Sequence, residues 1–120
     1  MAGQFGLANT LAKAGRMAES LPHYAATIQS APTVPEAHFN LGSALLALGR
    51  HADAARSFAT VITLQPDSAA ARFQAANAFA LSGRLPEAIA NYEAALALQP
   101  DLAAARTNLE AVRRASGPPR

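Results

Sequence analysis

The feature that most constrains this sequence is a repeat with a fixed step of 34 residues. Two residue types that end helices keep this step without interruption, namely Pro32, Pro66 and Pro100, and Gly15, Gly49, Gly83 and Gly117. The register divides the chain into units 1–34, 35–68 and 69–102, a half unit 103–116, and a tail or linker 117–120. Because so short a unit cannot bury its apolar residues alone, such units stack on their neighbours in an array.

Two helical segments fit each unit, separated by its glycine and its proline. In the second unit, Pro35 suits the first turn of a helix and Gly49 suits a helix end. Applied to the whole chain, this reasoning predicts an all-α protein with seven helices, two in unit one and five over residues 35–48, 52–64, 69–82, about 86–98 and 103–116. The last would be a capping helix. Helices of this length are marginal alone, so packing must stabilise them.

Composition narrows the classes of function. Alanine supplies 32 of the 120 residues, and small residues at Gly42, Ala54, Ala76 and Ala88 would let paired helices approach closely. The absence of cysteine excludes disulfides and thiolate chemistry. A formal net charge of +2 is too small for a nucleic-acid surface, and no apolar run is long enough to span a membrane. We expect a cytoplasmic protein without nucleic-acid or membrane partners.

No motif indicates catalysis or a bound metal. His23, His38 and His51 fall on different predicted helices or turns, and no two of them have the spacing of a helical metal site. No serine stands in a nucleophile-elbow motif, and no glycine-rich phosphate loop is present. We therefore expect no enzymatic activity and no cofactor.

Other positions of the unit also keep their residue type. A small residue recurs at position 8, alanine at 20, an aromatic residue at 24 and proline at 32, as in Gly42, Ala54, Phe58 and Pro66 and in Ala76, Ala88, Tyr92 and Pro100. With these residues the chain resembles the tetratricopeptide repeat family over residues 1–116. The resemblance implies a right-handed superhelical solenoid of antiparallel helix pairs whose concave groove commonly binds extended peptides. Position 4 departs from the family pattern, because Gln4, His38, Arg72 and Arg106 replace its usual large residue.

The resemblance also identifies candidate binding residues on the first helix of each unit. These peptide-binding or partner-binding candidates are Phe5, Asn9, Lys13, Phe39, Asn40, Ser43, Phe73, Gln74, Asn77 and Asn108. Phenylalanine repeats at position 5, and carboxamides repeat at position 6. Since a carboxamide has both a donor and an acceptor, it can pair with a peptide backbone whatever the side chains. The same groove would include Glu36, Leu46, Leu81 and Ala111, and we expect Asn40 and Gln74 to face solvent.

Three hypotheses for function remain open. The first is a non-catalytic scaffold that binds an extended peptide or partner segment in the groove. The second is structural self-assembly, by repeat stacking or as a homo-oligomer, and the third is an accessory substrate-recognition domain of a larger glycosyltransferase-like protein. Family members that grip the C-terminal carboxylate of chaperones use basic residues where this chain has Phe5, Ala70 and Gln74. Chaperone-tail binding is therefore not expected.

Unit one should be the least stable unit. Gly3 and Gly6 in its first helix each cost roughly 1 kcal/mol relative to alanine. Pro22 falls within its second helix, where proline removes a hydrogen bond and costs about 3 kcal/mol. A helix start at Ser20 would place Pro22 in the first turn and avoid most of that cost.

Overall fold

A computed structural model of the chain describes residues 16–117, and those residues form six α-helices without a strand. The helices are α1 Met17–Ser30, α2 Pro35–Ala47, α3 His51–Leu64, α4 Ala69–Leu81, α5 Leu85–Leu98 and α6 Ala103–Ala115. The all-α class is confirmed, and from residue 35 onward the helix ends lie within one residue of those predicted. Six of the seven predicted helices lie in the described residues, and the first expected helix falls in residues 1–15, outside them.

Glycine ends α2 and α4 in the same way. Gly49 and Gly83 both have a φ of +81°, a left-handed backbone conformation that residues with a side chain rarely adopt. After α2, the N–H of Gly49 donates to the carbonyl of Leu46 at 3.0 Å, and the N–H of Arg50 donates to that of Leu45 at 2.8 Å. These two bonds form a Schellman motif, so the predicted role of glycine as a helix stop is confirmed at this position.

Aromatic residues at one unit position form the centre of each helix pair. Tyr24, Phe58 and Tyr92 lie on α1, α3 and α5, and each is at most 2% exposed. Ala54 and Ala88 are fully buried on α3 and α5. Because a larger side chain would push the paired helices apart, alanine at this position permits close packing.

Successive helices pack against one another, and α2 also contacts α4, which in turn contacts α6. The structure is elongated, with principal extents of 55 × 26 × 21 Å. This arrangement brings half-buried side chains of α2, α4 and α6 towards one surface. We call this surface the first-helix face and define it by Phe39, Asn40, Ser43, Phe73, Gln74, Asn77 and Asn108.

The polar residues at position 4 connect each unit to the one before it. His38 donates from Nε2 to the carbonyl of Pro32 at 2.8 Å, and Arg72 donates to the carbonyl of Pro66 at 3.2 Å. Arg106 makes the same bond to the carbonyl of Pro100. The departures from the family pattern therefore satisfy the proline carbonyls in the turns between units.

Pro22 lies inside α1, which begins at Met17 and not at Ser20. The hypothesis that Ser20 is the N-cap is wrong, because Ser20 is fully buried and its hydroxyl donates to the carbonyl of Met17 at 2.6 Å. Pro22 consequently occupies the second turn, where the carbonyl of Ala18 loses the N–H that another residue would supply. This missing bond agrees with the expectation that unit one is the least stable, which stays a prediction.

Candidate functional site

The first-helix face carries seven of the ten candidate residues, three on α2, three on α4 and Asn108 on α6. All seven are half-buried, so Asn40 and Gln74 are less open to solvent than we expected. Phe5, Asn9 and Lys13 lie outside the described residues. Two hollows follow this surface, one near the start of α2 and α4 and one near their ends.

The N-terminal hollow has a volume of about 390 Å³ and lies between α2, the end of α3 and the start of α4. It contains two of the candidate residues, Phe39 and Asn40. Glu36 is the only charged residue among those described that line it. The complete lining is Pro35, Glu36, Phe39, Asn40, Val61, Gln65, Ser68 and Ala70.

The C-terminal hollow has a volume of about 380 Å³ and is lined mainly by apolar side chains. Its lining comes from four helices and consists of Leu46, Asn77, Ala80, Leu81, Tyr92, Asn108, Ala111 and Val112. None of these residues is charged. Leu81 is 57% exposed, the most exposed of the large apolar residues that the structure describes. A large apolar side chain placed here would remove Leu81 from water.

Four polar side chains form a hydrogen-bonded network beside this hollow. The hydroxyl of Tyr92 donates to Oδ1 of Asn77, which also accepts a bond from Nδ2 of Asn108 at 3.1 Å. Nδ2 of Asn77 in turn donates to Oε1 of Gln74 at 3.3 Å. Burial raises the pKa of Tyr92, and a hydrogen bond with Asn108 partly offsets this increase. Tyr92 therefore keeps its proton at neutral pH and acts as the donor that orients Asn77.

The network leaves one donor group and one acceptor group for a bound segment. Among the described residues, Nε2 of Gln74 and Oδ1 of Asn108 have no hydrogen-bond partner, and neither atom is buried. A peptide backbone offers one carbonyl and one N–H at each residue, which are the complementary groups. Asn77 instead uses its oxygen within the protein, where it holds the other two carboxamides in position.

The remaining candidates are partly held by the protein itself. The ring of Phe39 meets that of Phe58 edge to face with centroids 5.3 Å apart, and Phe73 lies 6.1 Å from Tyr92. The hydroxyl of Ser43 donates to the carbonyl of Phe39 at 3.1 Å, within α2. The two phenylalanines therefore support the core of their helix pairs, and of the two only Phe39 lines a hollow.

Our sequence reasoning missed several residues that line the hollows. Tyr92 stood in the sequence only as a recurring aromatic residue of the repeat, yet it is buried and also lines the C-terminal hollow. Its hydroxyl was the available signal, because a buried tyrosine needs a hydrogen-bond partner where phenylalanine at the same position needs none. Val61 and Gln65 carried no such signal, since they lie on α3 and not on a first helix.

None of the described basic side chains lines the two hollows, and three of them stand immediately before a helix. Arg16, Arg50 and Arg84 immediately precede α1, α3 and α5, and each forms an ion pair with the carboxylate three residues later. Hydrogen bonds from Arg56 and Arg50 hold the pKa of Asp53 below its usual value. The described lining of the hollows thus contains no cation that would attract an anionic segment.

Neither a metal-binding group of side chains nor a membrane-spanning helix is present in the part of the chain that the structure describes. Within residues 16–117 no three His, Cys, Asp or Glu side chains are grouped so that they could hold a metal ion. Of the histidines considered for catalysis, His38 has its Nε2 hydrogen-bonded to a backbone carbonyl. The helices of the described range are also too short or too polar to cross a bilayer.

Solved structures with closely similar folds include repeat domains from several proteins. The first tetratricopeptide domain of Spaghetti (RPAP3), solved with the HSP90 peptide SRMEEVD, is 23% identical with a TM-score of 0.91, and the alignment covers 96% of this chain and 91% of that one. MamA is 20% identical with a TM-score of 0.91, over 95% of this chain and 67% of that one. The Yersinia enterocolitica chaperone SycD, solved with a peptide of the translocator YopD, is 18% identical with a TM-score of 0.86, over 94% and 92%. At such identities the likeness concerns the fold.

Sequence comparison identifies the family directly. A search of curated proteins finds no match. The family profile described as tetratricopeptide repeat matches residues 5–62 and again residues 40–103, which together span most of the chain. The chain therefore belongs to the tetratricopeptide repeat family.

Proposed function

We propose that the chain is a non-catalytic protein-interaction module that holds an extended peptide segment along the first-helix face. The observation that carries this proposal is the C-terminal hollow, which is apolar and uncharged and has carboxamide groups beside it. An apolar side chain would fill such a hollow while the carboxamides bind the adjacent backbone. The right-handed superhelix and the division into units 1–34, 35–68 and 69–102 with a capping helix 103–116 are part of the same proposal.

The expected affinity is modest. Each hydrogen bond to Gln74 or Asn108 would contribute roughly 0.5–1.5 kcal/mol net, and burial of one large apolar side chain about 1.5–3 kcal/mol. Several such contacts, less the cost of ordering the segment, correspond to a micromolar dissociation constant, near −8 kcal/mol. Salt should change this affinity little, because Glu36 is the only charge among the described residues lining the hollows.

The structural neighbours support a peptide partner but not the same peptide. The Spaghetti domain was solved with an acidic HSP90 peptide. In this chain, Ala70 lines the N-terminal hollow beside Glu36, and Gln74 accepts a hydrogen bond from Asn77. A carboxylate-rich segment would meet a carboxylate there and no described cation, so the partner is proposed to be a different one. Phe5, Asn9 and Lys13 remain candidates by their unit positions alone.

Self-assembly by repeat stacking receives less support from the outer surface of α6. Glu110 and Arg113 are exposed there, and Arg113 forms an ion pair with Glu93 of α5. Covering this surface with a further helix would desolvate charged groups, which is costly unless they are paired again. The polar surface suits a capping helix that ends the array.

Obstruction of the C-terminal hollow tests the proposal. Ala111 lines the hollow and is exposed, so Ala111→Arg should block it without disturbing the core. Ala97→Arg is the matched control, because Ala97 is exposed on α5 and lies outside both hollows. Peptides selected from a random dodecapeptide display library on the unmodified chain would be titrated against both variants by calorimetry.

We expect Ala111→Arg to weaken binding at least about tenfold, equivalent to about 1.4 kcal/mol, and Ala97→Arg to leave it unchanged. Both variants should keep the helicity and melting temperature of the unmodified chain. Equal binding by the unmodified chain and Ala111→Arg would place the peptide elsewhere. A library that yields no binding peptide would also contradict the proposal.

A further inference from the structure

We infer that the first-helix face selects segments in which a basic residue lies about four to six residues from a large apolar residue. This inference rests on the proposed function and specifies the chemistry of the segment that occupies the two hollows. The basic residue would lie at the N-terminal hollow beside Glu36, and the apolar residue would fill the C-terminal hollow.

The C-terminal hollow excludes a charged side chain. Leu46, Ala80 and Val112 contribute apolar surface, and the polar atoms come from Tyr92 and two carboxamides. Because the hydroxyl of Tyr92 is already bonded to Asn77, it is not left to solvate an ion. An aliphatic or aromatic side chain would gain contact with the exposed Leu81, whereas a charged one would lose hydration without a counter-ion.

Glu36 gives the N-terminal hollow a preference for a cation. Its side chain is exposed, and it takes part in no ion pair among residues 16–117. A lysine or arginine of the bound segment would therefore find an available carboxylate, while an aspartate or glutamate would be repelled.

The distance between the hollows determines the spacing of the two residues. The N-terminal hollow meets α4 at Ala70, and the C-terminal hollow meets it at Asn77, Ala80 and Leu81. With a rise of about 1.5 Å per residue, the separation along the axis of α4 is about 14 Å. Glu36 lies on the neighbouring α2, about 9 Å across the face from α4, and combining these two perpendicular distances gives a separation of about 17 Å.

An extended segment covers about 3.3–3.6 Å per residue, so about 17 Å corresponds to about five residues. The length and flexibility of a lysine or arginine side chain widen this value to about four to six residues. Side chains on the same face of an extended chain recur at every second residue. Spacings of about four and about six residues should therefore be more frequent among bound peptides than a spacing of about five.

Selection from a random dodecapeptide display library tests the inference on the full chain. We expect the recovered peptides to share one basic and one large apolar residue at about this spacing, and to be depleted in acidic residues. Recovered peptides without the pair, or with the pair at random spacing, would overturn the inference and leave the proposed function standing. Failure to recover any binding peptide would overturn both.

Two pairs of variants then assign each feature to its hollow. Glu36→Gln should weaken binding of a recovered peptide up to about fivefold and abolish the preference for its basic residue, since exposed ion pairs contribute little. Its control is Glu110→Gln, an exposed carboxylate outside both hollows. Leu81→Ala should weaken binding about tenfold, whereas Leu98→Ala, at 44% exposure and outside the hollows, should not.

The substituted peptides complete the test. If replacing the basic residue of the peptide by alanine weakens binding to the unmodified chain but not to Glu36→Gln, the cation lies at Glu36. If the loss is equal for both chains, the cation binds elsewhere and the inference is wrong. The apolar residue of the peptide is tested in the same way. If replacing it by alanine weakens binding to the unmodified chain more than binding to Leu81→Ala, the apolar residue lies in the C-terminal hollow.

Discussion

The helix pairs α2–α3 and α4–α5 pack in the same way, but the side-chain contacts in their interiors differ. In the first pair, Phe58 packs edge to face on Phe39. Position 8 of the first helix, which faces the ring of Phe58, is Gly42. In the second pair, the aromatic residue is Tyr92, whose hydroxyl donates to Asn77 and extends the contact as a polar network. The first interior is closed by contact between rings, whereas the second combines the contact of Phe73 with Tyr92 and the hydrogen bonds of the network.

The difference shows that the repeat register determines where a side chain lies and that each unit determines the chemistry at that place. A Cβ added at Gly42 would come within 2.8–3.0 Å of three ring atoms of Phe58, so the missing side chain lets this ring approach α2. At the equivalent position the fully buried Ala76 fits beside Tyr92. The network on Tyr92 also borders the C-terminal hollow, so the chemistry inside this helix pair shapes the proposed binding surface.

The largest expected effect tests the close packing of the two helices that both pairs share. Ala54→Leu and Ala88→Leu each insert a larger side chain at a fully buried position, and each should destabilise the chain by about 1–3 kcal/mol in urea unfolding. The controls are Ala59→Leu and Ala90→Leu on the exposed side of the same helices. Unchanged unfolding midpoints for the buried variants would show that the two pairs do not pack in this way.

Opposite substitutions at position 8 should sharpen the contrast between the pairs. Gly42→Ala forces the buried ring of Phe58 to move, and overpacking should exceed the gain in helix propensity by up to about 2 kcal/mol. Ala76→Gly loses propensity and a buried methyl group and should also cost about 1–2 kcal/mol. A stabilising Gly42→Ala would mean that Phe58 has room to spare and that the first interior is not closed by contact.

The smallest effect concerns the polar network. Tyr92→Phe should cost about 0.5–1.5 kcal/mol, because it removes the donor to Asn77. A double-mutant cycle with Asn77→Ala should give a coupling energy of at least about 0.5 kcal/mol, whereas Tyr92→Phe with Ser43→Ala should be additive. Additive behaviour of Tyr92 with Asn77 would remove the distinction between the two interiors.

The helix positions could be predicted because glycine and proline recur at every unit and act locally. Gly49 is needed only because the backbone there is left-handed. Pro35 fits because the backbone N–H groups of the first helical turn have no partner within the helix. The start of α1 was predicted wrongly, since Ser20 resembles an N-cap but lies fully buried inside the helix. Tertiary burial of this kind has no local signal.

The lining of the proposed binding surface was predictable to a lesser degree. Unit positions indicated which side chains share a face, and Phe39, Asn40, Asn77 and Asn108 do line the hollows. Unit positions did not indicate that Oδ1 of Asn77 accepts hydrogen bonds within the protein, because the donors come from α5 and α6. The bonds from position 4 to a proline carbonyl were equally hidden, since an acceptor on the backbone is present at every residue.

Binding of an extended segment to the first-helix face is tested most directly by the amide chemical shifts of the ¹⁵N-labelled chain. On titration with a peptide recovered from the display library, we expect the largest shifts at Leu46, Asn77, Leu81, Asn108 and Ala111. Exposed residues on the opposite side of the pairs, Ala59 and Ala90, should not shift. Large shifts confined to α3 and α5, with Asn77 and Asn108 unchanged, would contradict the account.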